Sequence, residues 1–273
     1  MDKMRVGIIG FGNMGQAIAG RIKTNYALSI FEKDKSKIAG LRDIFICSCL
    51  SQLSESCEVI ILAIKPQDFE PALKDLNSFA SGKLFISIAA GITTAYIEKY
   101  LPKARLIRVM PNLAATIGEA ETCLAKGKYA LDNDMHLARR IFDLVGKTWI
   151  MPEDLINAAT AISGSGPAYI FYDLESRGID GSHLPEGLIE EYIQRLTEAA
   201  RSVGFDEQTA LELATSTTYS SIHLASCDDP AELRKKVTSK AGTTAAALKI
   251  LSAGGSWVLA AGAAIKRAEE LSR

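Results

Sequence analysis

This chain of 273 residues has few of the side chains from which metal sites and disulfide frameworks are built. It contains three histidines and five cysteines, and no two of the cysteines form a C-x-x-C pair. An odd set of scattered cysteines is typical of reduced thiols, which argues against a disulfide-stapled secreted domain and against a zinc site. We therefore expect no bound metal ion and a cytoplasmic location.

The sequence also lacks a large excess of positive or negative charge and a long apolar run. The net charge of −1 argues against a large non-specific surface for nucleic acid. The longest uncharged run, Ile250–Ile265, is shorter than the roughly 18 apolar residues of a membrane span, so we interpret it as a buried or interfacial helix. The first glycine turn follows a single strand, which leaves no room for a signal or transit peptide. We expect neither a nucleic-acid nor a membrane partner.

The stretch Val6–Gly15, VGIIGFGNMG, has the glycine spacing of a dinucleotide-binding turn. Gly10 permits the tight turn, Gly12 leaves space for a pyrophosphate, and Gly15 lets the next helix approach the strand. The helix N-terminus then offers unpaired N–H groups to the phosphates. Cofactor contacts are predicted for the whole turn, Gly10, Phe11, Gly12, Asn13, Met14 and Gly15. The alternative is a glycine-rich turn in an unrelated α/β protein.

The context of this turn favours the nucleotide hypothesis. Arg5–Ile9 is predicted to be a buried strand, Gln16–Ile22 a helix, and Leu28–Phe31 a second strand that ends at Glu32. An acidic side chain at that distance from the glycines can accept hydrogen bonds from the adenosine ribose and would repel a 2′-phosphate.

Two lysines leave the cofactor preference open. Lys33 and Lys35 follow Glu32 directly and would attract a 2′-phosphate, or they belong to a solvated charged loop. The sequence therefore leaves the choice between NADH and NADPH open, with a slight preference for NADH.

Alternating strand and helix patterns extend from Arg5 to about Met151 and predict a mostly parallel, doubly wound sheet. The further strand candidates are Val59–Ile64, Leu84–Ala89, Leu106–Val109 and Trp149–Met151. Ligands of such sheets bind at the carboxyl ends of the strands, which here are Gly10–Gly15, Glu32–Lys35, Ala63–Gln67, Ala89–Thr93 and Met110–Asn112.

Helical patterns alone follow Pro152, so we predict a nucleotide-binding domain over residues 1–152 and a helical domain over residues 153–273. The helix candidates are Glu153–Ala161, Pro167–Glu175, Pro185–Val203, Asp206–Ala225, Pro230–Val237, Thr243–Leu251 and Leu259–Leu271. Val203-Gly204-Phe205 followed by Asp206 is interpreted as a helix end and a new N-cap.

Two polar segments interrupt the helical domain. Ser163–Tyr169, SGSGPAY, either kinks a helix or admits a close neighbour. Ser239–Thr244, SKAGTT, opens an alanine-rich helix whose N–H groups and threonine hydroxyls suit a small carboxylate. Helix capping and close helix packing also explain both segments and, for the segments taken by themselves, are the favoured interpretation.

Six motifs in order resemble the pyrroline-5-carboxylate reductase family. They are the GxGNMG turn, Ala63–Gln67, Ser87–Gly91, Arg108–Asn112, SGSGPAY and Ala241–Thr244. The resemblance implies a Rossmann domain followed by a helical domain that dimerises, and often a larger assembly such as a decamer. It also implies reduction of 1-pyrroline-5-carboxylate to proline by NADPH or NADH, the last step of proline biosynthesis.

The resemblance further implies roles for individual residues. Thr244 would be the catalytic residue, through a hydrogen bond to the ring nitrogen, and the N–H groups of Gly242 and Thr243 would hold the carboxylate. The substrate loop would comprise Lys240, Ala241, Gly242, Thr243 and Thr244. Cofactor contacts beyond the glycine turn would come from Glu32, Lys33, Ala63, Ile64, Lys65, Pro66, Ala89, Ala90, Gly91 and Asn112, with Lys65, Pro66 and Asn112 at the nicotinamide end. A cyclic imine needs positioning against a hydride donor and one hydrogen bond to nitrogen, so no histidine is required.

Three departures from the family pattern keep alternatives open. The family loop reads close to SPGGTT, whereas this chain has Lys240 and Ala241 in place of Pro and Gly, and Leu113-Ala114 replaces Thr-Pro. An insertion over Glu175–Gly187 could reshape the dimer interface or cover the site. The alternatives are a reductase of a related cyclic imine, a non-catalytic regulatory relative, and a β-hydroxy-acid dehydrogenase, for which Lys240 is the only nearby catalytic lysine.

Overall fold

Short runs of branched apolar residues form the strands of an eight-stranded sheet in the computed structural model, which describes residues 3–272. Strand β1 is fully buried from Val6 onward, and β4 and β5 are buried along their whole length. Such continuous burial is expected where helices cover both faces of a parallel sheet. The strands are β1 (Arg5–Ile9), β2 (Ala27–Phe31), β3 (Phe45–Ile46), β4 (Val59–Leu62), β5 (Leu84–Ser87), β6 (Arg105–Met110), β7 (Ala120–Lys126) and β8 (Gly146–Ile150).

The strand order is β3-β2-β1-β4-β5-β6-β7-β8. Strands β1 to β6 pair in parallel, with Val6 of β1 beside Leu28 on one side and Val59 on the other. The order reverses at β1, where the chain first builds outward through β2 and then returns to start β4. Ligands of open α/β sheets bind outside the strand ends at such a reversal. The prediction of a mostly parallel, doubly wound sheet is confirmed.

Twelve α-helices lie within the described residues. Those interleaved with the strands are α1 (Asn13–Ile22), α2 (Leu50–Ser56), α3 (Phe69–Leu76), α4 (Thr94–Tyr100) and α5 (Asp132–Phe142). The helices after β8 are α6 (Ile156–Ala159), α7 (Gly166–Arg177), α8 (Leu188–Ser202), α9 (Glu207–Cys227), α10 (Pro230–Val237), α11 (Thr243–Ser252) and α12 (Trp257–Leu271). Each helix after α6 begins and ends within three residues of the predicted boundaries. The Asp206 side chain caps α9 by accepting from the Thr209 N–H at 3.0 Å.

The chain divides into two compact units. The first comprises the residues up to Val109 together with Leu124–Glu153, and its core contains Phe69, Phe85 and Ile60. The second comprises Met110–Cys123 and Asp154–Ser272.

The core of the second unit includes an aromatic cluster around Trp257. The Trp257 ring stacks on Tyr192 at a centroid distance of 5.5 Å and meets the edge of Tyr169 at 6.0 Å. The Arg195 guanidinium lies 4.2 Å from the Trp257 ring centroid, where a cation is attracted to the aromatic face. The Tyr192 hydroxyl donates to Asp173, so the polar tip of this buried ring is satisfied. These contacts join α7, α8 and α12.

Two strands and one irregular turn were absent from the sequence prediction. Strand β3 is only two residues long, and β7 carries Glu121 and Thr122 among its apolar residues, which hides the strand pattern. The single helix predicted over Glu153–Ala161 is wrong. A 3₁₀ turn, the short α6 and a π-helical turn over Thr160–Gly164 follow one another there.

Gly15 and Gly20 in α1 provide a matched pair for testing backbone contact. A Cβ on Gly15 would lie 2.4 Å from the Gly10 carbonyl oxygen, whereas a Cβ on Gly20 meets nothing within 4 Å. We expect Gly15→Ala to destabilise the protein by about 1–3 kcal/mol through overpacking. Gly20→Ala should stabilise it by about 0.5–1 kcal/mol, because alanine costs less backbone entropy in a helix. Urea unfolding of both variants measures this, and equal effects would contradict the predicted contact.

Candidate active site

The glycine turn between β1 and α1 leaves an open space above its backbone. Gly10 has φ +94°, and a Cβ there would lie 2.5 Å from the Ala63 carbonyl oxygen, so only glycine fits. Gly12 is the N-cap of α1, and a Cβ on it would meet nothing within 4 Å. Because Gly12 has no capping side chain, the N-terminus of α1 remains available to an anion. This cradle fits the diphosphate of a dinucleotide.

Glu32, at the end of β2, is bound to the glycine turn itself. Its Oε2 accepts from the Phe11 N–H at 2.5 Å and its Oε1 from the Asp34 N–H at 2.9 Å. Burial raises the pKa of Glu32, but the N–H groups of Asp34 and Phe11 and the charge of Lys37 outweigh it and hold the pKa below its usual range. The Glu32 carboxylate therefore holds the turn in place while it lines the cleft beside it.

A cleft of about 750 Å³ lies at this end of the sheet, within the size range of small-molecule sites. Seven of the residues predicted from the sequence line it, namely Gly10, Gly12, Glu32, Lys33, Ala63, Ile64 and Lys65. Eight other predicted cofactor residues, all described in the structure and all in the first unit, are not part of the cleft lining: Phe11, Asn13, Met14, Gly15, Pro66, Ala89, Ala90 and Gly91. The lining continues beyond the predicted positions through Ser48, Cys49, Ser51 and Asp68.

The rim of the cleft carries charges of both signs. Lys33 Nζ lies 3.4 Å from Asp68 Oδ1, and both side chains are solvent-accessible. Lys37 Nζ lies 3.9 Å from Asp34 Oδ2. Ion pairs at such exposed positions contribute little stability, so both lysines can turn toward an anionic ligand at small cost.

A buried ion pair anchors Glu153 near the carboxyl ends of β5 and β6. Arg108 in β6 is buried, and its Nη1 lies 3.4 Å from Glu153 Oε1. Glu153 also accepts from the Thr94 N–H at 2.7 Å and from the Thr94 hydroxyl. Burial lowers the pKa of Arg108, against the opposing effect of the Glu153 charge. This contact fixes the last residue of the first unit to the segment that follows β5.

Asn112 belongs to the second unit and presents an unpaired donor there. Its side chain is 2 % exposed, and its Oδ1 accepts from the Glu121 N–H at 3.2 Å. Its buried Nδ2 has no hydrogen-bond partner within residues 3–272. A buried amide donor without a partner is unfavourable, which suits a position that a ligand completes.

The predicted substrate loop forms a tight bend at the start of α11. The Gly242 N–H donates to the Ser239 carbonyl oxygen, and a Cβ on Gly242 would lie 2.1 Å from Ser239 Oγ. Ala241 adopts φ +57°, a left-handed conformation that favours glycine. Arg267 Nε in α12 donates to the Ala241 carbonyl oxygen at 2.8 Å and holds this bend. Lys240 is exposed.

Three hydroxyl groups meet under this loop. Thr243 and Thr244 are both buried, and each hydroxyl lies beside that of Ser165, which follows the π-helical turn. Gly242, the N-cap of α11, has no side chain that could cap the first N–H groups of the helix. The site thus combines hydroxyls and an uncapped helix N-terminus, which together can bind a carboxylate and a polar ring atom.

Sequence reasoning missed the partners of the predicted residues. Ser165 and Arg108 lie within motifs but have no function predicted from the sequence, and neither Thr94 nor Glu153 is predicted as a site residue. The sequence holds one signal for such a partner: Arg108 is a charged residue within the apolar strand Leu106–Met110, and a buried charge requires a partner.

Two family models match the chain. One, described as pyrroline-5-carboxylate reductase dimerisation, covers residues 187–271. The other, described as NADP oxidoreductase, coenzyme F420-dependent, covers residues 5–91. The matched regions contain the α11 loop and the glycine turn, respectively. The first match indicates homo-oligomerisation.

Relatives named as pyrroline-5-carboxylate reductases match over most of the chain. The pyrroline-5-carboxylate reductase of Methanosarcina acetivorans is 36% identical over 89% of this chain and 88% of its own length. That of Mycobacterium tuberculosis is 31% identical over 98% of this chain and 95% of its own length. The solved structure of the Coxiella burnetii enzyme is 29% identical with a TM-score of 0.66, and each chain is covered completely. The Streptococcus pyogenes enzyme is 28% identical, with a TM-score of 0.65 and 98% of each chain covered.

The open space above Gly12 generates a direct test. We expect Gly12→Val to weaken dinucleotide binding more than tenfold, or by at least about 1.4 kcal/mol, because the branched side chain fills the pyrophosphate position. The fold should survive, since nothing lies within 4 Å of the new Cβ. Fluorescence titration with NADPH and NADH measures the affinity, and Gly20→Ala in the same helix serves as the control. Unchanged affinity in folded Gly12→Val would mean that the turn is purely structural.

Proposed function

The chain belongs to the pyrroline-5-carboxylate reductase family, and from that premise we propose that it reduces 1-pyrroline-5-carboxylate to L-proline with NAD(P)H. This is the last step of proline biosynthesis. The observation that carries the proposal is the buried hydroxyl of Thr244 at the uncapped start of α11, in a chain that also has an open glycine cradle for the cofactor.

The cofactor cleft supports the first half of this reaction. Bound NAD(P)H supplies the hydride. Gly10, Gly12 and the N-terminus of α1 would hold its diphosphate, with the rest of the turn, Phe11, Asn13, Met14 and Gly15, shaping the cradle. Toward the nicotinamide end we propose Ala63, Ile64, Lys65, Pro66, Ala89, Ala90, Gly91 and Asn112, the last through its unpaired Nδ2.

The adenosine end suits either nucleotide. Glu32 Oε1 and Oε2 each retain a second lone pair for ribose hydroxyls, which favours NADH. Lys33 on the same rim offers a positive charge to a 2′-phosphate once it leaves Asp68, which favours NADPH.

The substrate half rests on the α11 loop. Thr244 would hydrogen-bond the ring nitrogen, and the Thr243 N–H would hold the carboxylate. The Gly242 N–H, predicted from the sequence for the same role, donates to the Ser239 carbonyl oxygen, so Gly242 would contribute by leaving the helix start uncapped. Lys240 and Ala241 would form the outer wall. The backbone N–H groups and the helix dipole suffice for an anion without a buried cation. The hydrogen bond to nitrogen is the contact that changes during reduction, because the iminium N–H becomes an amine with a lone pair.

We propose that residues 1–152 act as the nucleotide-binding domain and residues 153–273 as the dimerisation and substrate domain. The two family matches, at residues 5–91 and 187–271, support this division. We further propose a homodimer as the basic unit, with a decamer as a possible larger assembly.

A reducing, cytoplasmic location completes the proposal. None of the five cysteines forms a disulfide within the described chain, and this supports a reducing compartment. Separately, no helix between residues 3 and 272 is long and apolar enough to cross a membrane.

The reaction is tested by following NADH and NADPH oxidation with pyrroline-5-carboxylate and with its six-membered homologue. We expect turnover of the five-membered ring with at least one cofactor. Faster turnover of the six-membered ring would favour a related imine reductase, for which the replacement of the family glycine by Ala241 is the specific indication. No turnover of either ring would contradict the proposal.

Thr244 provides the sharpest test of the site. Thr244→Ala should slow turnover roughly ten- to a hundredfold, the equivalent of about 1–3 kcal/mol for a lost hydrogen bond to the reacting nitrogen. Cofactor affinity should barely change. Thr244→Ser keeps the hydroxyl and should recover much of the loss. Steady-state kinetics with thermal melts measure both variants, and wild-type turnover by folded Thr244→Ala would remove Thr244 from the active site.

A further inference from the structure

Ser165 is assigned to neither substrate nor cofactor, yet its hydroxyl contacts both threonines at the start of α11. Ser165 Oγ lies 3.0 Å from Thr244 Oγ1 and 3.3 Å from Thr243 Oγ1. The three side chains are at most 7 % exposed. Across residues 3–272 these two contacts are the only hydrogen bonds that the three hydroxyls make. The three groups therefore form an isolated buried cluster.

Counting protons shows that this cluster is incomplete. Each hydroxyl carries one proton, and each of the two contacts uses one proton. Ser165 can donate to only one of the two threonines, so it accepts from the other or from both. In every arrangement one proton of the three has no acceptor within the cluster. A buried donor left in this way is unfavourable, so the cluster is suited to donate one hydrogen bond to a bound molecule.

The π-helical turn before Ser165 explains why the Ser165 side chain points toward α11. The Ser165 N–H donates to the Thr160 carbonyl oxygen at 2.8 Å, five residues back. The one extra residue of a π turn rotates the following positions by about 100° relative to a continuous α-helix. Thr160 and Ser163, in the same segment, donate their hydroxyls to carbonyls one turn earlier. The Ser165 hydroxyl instead reaches α11.

We propose that Ser165 is a positioning residue that sets the direction of the Thr244 hydroxyl during imine reduction. The inference rests on the proposed function. When Thr244 donates to Ser165, its lone pairs are free to accept from the iminium N–H of the substrate. When Ser165 donates to Thr244, the Thr244 proton is free to meet the lone pair of the product amine. No proton is transferred, and the hydroxyl groups of Ser165 and Thr244 both rotate between the two arrangements.

A double-mutant cycle tests this coupling. Ser165→Ala should lower kcat about five- to twentyfold and change KM less than about twofold, because the lost contact acts on the hydrogen bond that changes in the transition state. In the Thr244→Ala background the same substitution should cost nothing further, since Ser165 acts only through Thr244. Ser165→Thr keeps a hydroxyl and should recover part of the loss.

Ser163→Ala is the matched control. It removes a buried hydroxyl from the same π-helical segment but one that contacts neither threonine, so its kcat should stay near wild type. Thermal melts and NADPH affinity show whether a variant has lost its fold or only the orientation of the Thr244 hydroxyl. If the wild type reduces pyrroline-5-carboxylate, two results would overturn the proposal for Ser165 alone. One is an unchanged kcat in Ser165→Ala, and the other is a double variant in which the losses of the two single variants multiply. Absence of wild-type turnover overturns the proposed function, and this inference with it.

Discussion

The N–H groups in the first turn of an α-helix have no partner within the helix, and α1 and α11 begin at glycines that provide no side-chain cap. Gly12 precedes α1 in the first unit and Gly242 precedes α11 in the second. Other helices have a side-chain cap, as Asp206 provides for α9 and Ser256 for α12. At the starts of α1 and α11, the proposed anionic ligands, a diphosphate and a carboxylate, would supply the missing acceptors.

Each of these helix starts is held by a contact from a distant part of the chain. Glu32 at the end of β2 accepts from the Phe11 N–H and fixes the glycine turn, while Arg267 in α12 donates to the Ala241 carbonyl and fixes the substrate loop. Both contacts join a charged side chain to backbone, and such hydrogen bonds are stronger than neutral ones. The geometry of the two sites therefore depends on residues outside their motifs.

The sequence predicted the elements whose signal is local. Glycine spacing and apolar runs located β1, α1 and β2, and Pro230–Val237 was predicted to the residue. It missed β7, whose Glu121 and Thr122 break the apolar pattern, and it could not predict the π-helical turn, because one extra residue per turn leaves no trace in composition. The Ser165 contacts span more than 75 residues, so only the folded chain brings those hydroxyls together.

Ala241 has a consequence for how much freedom the substrate loop loses on binding. Alanine at φ +57° costs roughly 1–2 kcal/mol relative to a right-handed conformation, a penalty that the glycine of the family pattern avoids. Glycine, in turn, samples many backbone conformations before a ligand orders it. By narrowing that range, Ala241 lowers the folding stability but leaves the loop preorganised, so the loop would lose less conformational entropy on binding the proposed substrate.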